Sequence, residues 1–197
     1  MATERDETER AAWRKQIADF DPTRFVFVDE SSANITLTPR YGRAPKGVRA
    51  QGAAPRNYRH NTTLVAALTQ AGLQAPMTLA GPLDGDAFAS YVQQVLVPTL
   101  QPGQIVILDN LSVHKRADIR ARIERAGAML LFLPAYSPDF TPIEQAFSKL
   151  KTVLRRIQAR TQDALESAIA EALATISATD AVHWFRHAGY HFNGQLL

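Results

Sequence analysis

The order in which short apolar runs occur along the chain restricts its fold more than any other feature. Phe25-Val26-Phe27-Val28, inside the segment 24–30, is a β-branched and aromatic run that reads as a buried strand, and 62–69 and 76–80 read likewise. Residues 34–38 alternate and are expected to pair back on the first of these. Two later runs, 104–108 and 128–133, are each bounded by helical patterns. A helix is expected from Asp84 or Asp86 up to Pro98, and another over 115–126 that stops at Gly127. Further helices are expected over 142–158, 162–176 and 180–188. Strands joined directly should be antiparallel, whereas strands separated by a helix should be parallel with right-handed crossovers. The expected fold is α/β, a mixed five-stranded sheet flanked by helices. It occupies 21–197 as one domain, with a short charged helical linker over 1–20 ahead of it.

Two of the buried runs end in an acid. Asp29 follows Phe25–Val28, and Asp109 follows Ile105-Val106-Ile107-Leu108. Open α/β sheets place their ligands at such strand ends. A single aspartate there also serves to cap a turn or the next helix. Two of them on neighbouring strands would crowd like charges, which is costly without a cation.

Glu144 is the third candidate. Thr141-Pro142-Ile143-Glu144 has the pattern of a capping box, in which the glutamate does no more than satisfy a backbone N–H. The helix that follows suggests a further role. Its apolar stripe is Ile143, Phe147, Leu150, Leu154 and Ile157, while Glu144, Ser148, Lys151 and Arg155 share another face. An acid followed by two cations suits a metal at one end and phosphates beyond it. Phosphodiester chemistry uses such a set, because two Mg²⁺ ions about 4 Å apart stabilise both the attacking and the leaving oxygen of an in-line displacement.

Charge distribution says more than the net value of +3. Between Glu30 and Asp84 no acidic residue occurs, while Arg40, Arg43, Lys46, Arg49, Arg56 and Arg59 are interleaved with Tyr41 and Tyr58. A local field of one sign fits a polyanion such as DNA, and it equally describes a solvated loop. With no cysteine, disulfides and thiolate metal sites are excluded. The chain shows neither a secretory signal nor an apolar run of about 18 residues, so a cytoplasmic protein without a membrane partner is expected.

Three blocks, FVFVDES, ILDNLSVHK and LPAYSPDFTPIEQAFSKLK, resemble the signature blocks of the Asp-Asp-Glu transposases of mariner-like bacterial insertion sequences. Thirty-four residues stand between Asp109 and Glu144, the spacing of that family, and the resemblance covers about residues 20 to 190. It implies a ribonuclease H-like fold, with Asp29, Asp109 and Glu144 as catalytic metal ligands for two Mg²⁺ ions, for which Mn²⁺ substitutes. It implies DNA end cleavage followed by attack of the freed 3′-hydroxyl on target DNA, typically at a TA step, by a nucleoid-associated homodimer. Asn110 and His114 fall within the second block, as accessory or purely structural residues. DNA contacts are expected from Arg40, Arg43, Lys46, Arg49, Lys151 and Arg155. Family members carry helix-turn-helix domains ahead of the core, and about twenty residues precede the first strand here, so that module is expected to be missing or encoded elsewhere. Alternatives are a ribonuclease H-like nuclease that joins nothing and a DNA-binding relict that does not cut.

Weaker signals compete with this set. Asp139 sits in a Ser-Pro-Asp turn and is read as a turn former rather than a ligand. Glu30 should face away from Asp29 on the same strand. His183, His187 and His191 share a helical spacing that a zinc site would use, although Trp184 and Phe185 suggest packing. Lys149 and Arg156 lie with Lys151 and Arg155 as further candidates for DNA contact.

Overall fold

The computed structural model describes residues 5–56 and 60–192. Its sheet is built outward from β1 (Phe25–Ala33), which pairs antiparallel with β2 (Thr62–Thr69), itself antiparallel to β3 (Gly72–Ala80). On its other side β1 pairs parallel with β4 (Ile105–Leu108), and β4 parallel with β5 (Met129–Phe132). The order is β3-β2-β1-β4-β5, the mixed five-stranded sheet that the run of elements predicts.

Period-two alternation sorts the side chains onto two faces. Phe25, Phe27, Ala33, Leu64, Ala66, Leu68, Ile105 and Ile107 pack on one face against α4 (Ile143–Ile157), α5 (Gln162–Ala174) and α6 (Ala178–His187). Val26, Val28, Val65, Ala67, Val106, Leu108 and Leu130 pack on the other against α2 (Gly85–Tyr91) and α3 (Ala117–Arg125). Both faces are covered, so the central strands are apolar throughout rather than alternating. No helix among the described residues is long and apolar enough to cross a membrane.

Several expectations change. The segment 34–38 does not pair back on β1: Asn34 folds it into a turn, its Oδ1 accepting from the Thr36 amide at 3.0 Å and the Thr36 hydroxyl at 2.6 Å. Such local side-chain bonds compete with a ladder. Residues 39–56 then run without helix or strand. β3 begins at Gly72, earlier than Pro76 suggests, and tolerates that proline because it is an edge strand with a register shift opposite it in β2. The helix starting at Asp84 is regular only to Tyr91, then widens into a π turn over Val92–Leu96 ahead of Pro98.

The N-terminal segment is packed onto the sheet's helical layer. Asp6 caps α1 (Glu7–Ile17) through the amides of Thr8 and Glu9, and Trp13 and Ile17 join the buried cluster that contains Phe25 and Phe140. A mixed-charge pattern conceals this packing, because only one narrow stripe of α1 is apolar.

Candidate active site

Register brings the two aspartates together. β1 and β4 pair in parallel through Phe25↔Ile105, Val26↔Val106 and Phe27↔Ile107. Two residues further along each chain stand Asp29, still inside β1 and paired with Ala66 of β2, and Asp109, just past the end of β4. Both therefore occupy the same level of adjacent strands and the face that carries Phe27, Ile107 and α4.

α4 supplies the third acid from above that face. Its buried stripe of Ile143, Ala146, Phe147, Leu150 and Leu154 fixes the helix against the sheet, and Glu144 lies exposed in its first turn. The capping box expected at Thr141 does not form; Pro142 is the cap residue and no side chain bonds the helix start. No hydrogen bond to the Glu144 carboxylate occurs among the described residues, which leaves both oxygens for a ligand. Asp29, Asp109 and Glu144 line one cavity of about 400 Å³, together with Asn110, Leu111, Tyr136, Ser137 and Thr141.

Electrostatics marks this cavity as a place that needs positive charge. Burial, reinforced by the neighbouring charges of Glu30, Glu144 and Asp109, pushes the Asp29 carboxyl up to about 8, against one favourable bond from the Glu30 amide at 2.8 Å. Among the described residues no three acidic or histidine side chains are drawn together tightly enough to form a ready metal cluster. The donor set fits a hard divalent cation, being carboxylate oxygens around a solvent-reachable space with room for the waters that Mg²⁺ retains.

His114 supports Asp109 from the opposite face. It is 1% exposed, tilted against Phe88 with ring centroids 4.3 Å apart, and its Nδ1 lies 2.6 Å from Asp109 Oδ1. The same Asp109 oxygen accepts from the Leu111 amide at 3.1 Å. His114 Nε2 is 3.8 Å from Glu30 Oε2, so a histidine connects Asp109 to the acid next to Asp29. Burial raises the Glu30 carboxyl above its ordinary range, and His114 opposes that rise. Glu30 does face away from Asp29, as alternation requires. Its link to Asp109 through His114 was invisible in the sequence, where the two acids are far apart.

The remaining expected residues sort clearly. Asp139 is taken by Arg10 of α1 in a two-pronged ion pair of 3.0 and 2.6 Å. Lys149 donates to Asp180 at 2.7 Å and so belongs to the packing of α4 on α6. Lys151 and Arg155 are half-buried on α4 and make no ion pair among the described residues. Arg40, Arg43, Lys46, Arg49 and Arg56 are all exposed, as is Tyr41 at 92%, and these cations too have no ion-pair partner among the described residues. Tyr58 and Arg59 lie outside the described residues. Arg160, which the sequence reading passed over, ties this basic segment down by donating to the carbonyls of Ile35 and Leu37, both at 2.9 Å, and of Ala53 at 3.2 Å. His183 and His187 are exposed on α6, and His191 lies beyond its end.

The family model for DDE superfamily endonucleases matches residues 24–166, a span that takes in all three acids. The chain belongs to this family. Its fold is also that of solved mariner transposases. The chain matches a pre-cleavage Mos1 transpososome with a TM-score of 0.71 at 16% identity, over 95% of this chain and 62% of that one. It matches the Mos1 mariner paired end complex with Mn at 0.68 and 18% identity, over 92% and 56% of the respective chains. For the isolated catalytic domain of Mos1 mariner transposase the values are 0.64 and 17%, with 92% and 83% covered. The chain thus spans less than two thirds of the transpososome chain and most of the isolated catalytic domain. No curated protein sequence matches it significantly. The ribonuclease H-like architecture expected from the three sequence blocks is the one observed.

Proposed function

We propose that this DDE endonuclease domain is the catalytic core of a DNA transposase. It would cleave DNA at the ends of a mobile element and join the freed 3′-hydroxyl to target DNA. The observation that carries the reading is the placement of Asp29 and Asp109 at one level and on one face of the sheet, with Glu144 on the wall of the same cavity.

Asp29, Asp109 and Glu144 would hold two Mg²⁺ ions, or Mn²⁺ in their place. When bound, such ions stabilise charge on the attacking and leaving oxygens of a phosphodiester. The protein's own contribution is positioning. β1 and β4 set the two aspartates on a rigid sheet, His114 holds one Asp109 oxygen, and α4 presents a glutamate with no competing bond among the described residues. Lys151 and Arg155 continue from Glu144 along α4, and the exposed cations at 40–56 provide a surface for the DNA backbone. The protein's partners would be double-stranded DNA ends and a target, typically a TA step, met by a homodimer; what supports the DNA partner is likeness to Mos1 transposase, solved as paired-end and strand transfer complexes and with Mg or Mn.

The test is nicking of DNA by the purified chain with Mg²⁺ or Mn²⁺. Activity should fall to background in Asp109→Asn and Glu144→Gln. Equal cleavage by wild type and both variants would remove the enzymatic assignment. Joining of a pre-cut 3′ end distinguishes a transposase from a nuclease that only hydrolyses.

A further inference from the structure

We propose that Arg10, on the N-terminal helix, is a positioning residue for Glu144 and acts through Asp139. The inference rests on Glu144 as a metal ligand. It adds a part of the chain that contributes nothing to the cavity lining.

Arg10 is 0% exposed, an uncommon state for a permanently charged group. Its Nη1 donates to Asp139 Oδ1 at 3.0 Å and its Nη2 to Oδ2 at 2.6 Å, a fork meeting a fork. The guanidinium lies over the Phe140 ring with Cζ 4.0 Å from the centroid, and Arg14 reaches the same ring at 4.9 Å. On the other side of the turn, the Tyr190 hydroxyl donates to the Phe140 carbonyl at 2.7 Å. Asp139 and Phe140 are thus gripped by their carboxylate, ring and carbonyl.

What they belong to gives the grip its meaning. Pro138–Phe140 form a single 3₁₀ turn, and only Thr141 and Pro142 separate it from α4, in which Glu144 is the second residue. Ser137, Pro138 and Thr141 line the same cavity as the three acids. The turn is a wall of the site and the platform from which Glu144 projects, while the carboxylate of Asp139 is engaged by α1 instead.

Stability alone does not call for an arginine here. Only Arg10 is out of water in this pair, Asp139 being half exposed, and a buried cation is commonly no better for folding than an apolar side chain of the same volume because it loses its hydration. A two-pronged bond differs from an apolar contact in being directional: it fixes the orientation of the turn, where a leucine or methionine would let it slide. The apolar stripe seats α4 on the sheet, and because no side chain bonds the helix start, the turn helps hold its first residues, Glu144 among them, in place. Groups bonded directly to a metal ligand change metal affinity by about 10–100-fold when altered, and Asp139, one step further out, should act at the low end of that range.

The experiment uses the full chain and measures Mn²⁺ binding from the electron paramagnetic resonance of the free ion, at a temperature where circular dichroism shows every variant folded. Arg10→Lys keeps the charge but loses the fork. Asp139→Asn replaces a side chain that is 50% exposed and carries the test if Arg10→Lys fails to fold. Each should raise the Mn²⁺ dissociation constant about tenfold. In a Glu144→Gln background, Asp139→Asn should add no further loss, because the residue through which it acts is already gone. Wild-type affinity in folded Asp139→Asn, or the same additional loss with and without Glu144, overturns the positioning role alone. A Glu144→Gln variant that binds Mn²⁺ as wild type does overturns the metal assignment and this inference with it.

Discussion

Asp29 and Asp109 stand at the same level of adjacent parallel strands, each two residues beyond the Phe27–Ile107 pair. Neither position is a loop accident. The same alternation that buries Phe25 and Phe27 under α4 delivers the next residue of that face, Asp29, to the place where the ladder between β1 and β4 ends. A core that has only apolar options below this level thus ends in two carboxylates.

Asp29 should give the metal-free protein a pH dependence of definite sign. Its carboxyl titrates near 3.8 when the chain is unfolded and near 8 when folded. Between those values the folded chain holds a proton that the unfolded chain has released, so this residue's contribution to stability is complete below about pH 4 and is lost as pH rises to about 8. Melting curves of wild type should fall relative to those of Asp29→Asn across that interval. Mn²⁺ must displace the same proton, so its affinity should climb up to about pH 8 and then level off. Parallel melting curves for the two proteins would contradict the assignment.

His114→Phe retains a ring against Phe88 and removes the bond to Asp109. Metal-dependent cleavage should then require about 10–100-fold more Mn²⁺. His114→Ala should show the same requirement and also melt earlier, because it opens a cavity beside Phe88. A metal titration of each variant, read beside its thermal melt, separates orientation from packing. An unchanged metal requirement in His114→Phe would make the histidine purely structural.

The basic segment and α4 make contrasting predictions for DNA binding. If Arg43 and Arg49 each meet a phosphate, replacing either with alanine should lower the slope of log K against log salt by about 0.9. Lys149→Ala should leave the slope unchanged and lower the melting temperature, since Lys149 is paired with Asp180, whose carboxyl is pulled down to about 2 by that contact together with bonds from Ser177. Fluorescence anisotropy over a salt series checks both. A slope change in Lys149→Ala without destabilisation would reverse the assignment.

The three acids were readable as candidates because each adjoins a feature with its own physical signature: Asp29 and Asp109 follow apolar runs, and Glu144 opens an amphipathic helix. Strand direction was readable for the same reason, since helices between strands favour parallel pairing, whereas the order of the strands across the sheet was not. What escaped depends on partners remote in sequence. Arg10 and Asp139 are 129 positions apart, and nothing in a mixed-charge helix reveals that one of its arginines is buried. Arg160 looks like any helix-flanking cation until the carbonyls of Ile35, Leu37 and Ala53 arrive beside it. The turn at Asn34 and the missing cap at Thr141 were misjudged for a different reason. Local patterns there allow two outcomes, and packing of the surrounding chain selects between them.

Because β1 draws its parallel neighbour from far downstream, synthesis order governs when the site can exist. The hairpin of β2 and β3, joined by Gln70 and Ala71 alone, can form early on the ribosome, and β1 pairs with it across the longer segment 34–61. Asp109 takes its place only after β4 has emerged, and Glu144 only after the segment that follows β5. A truncated translation product that stops short of α4 would carry the sheet without its third acid, so the three carboxylates share a cavity only once α4 has been made.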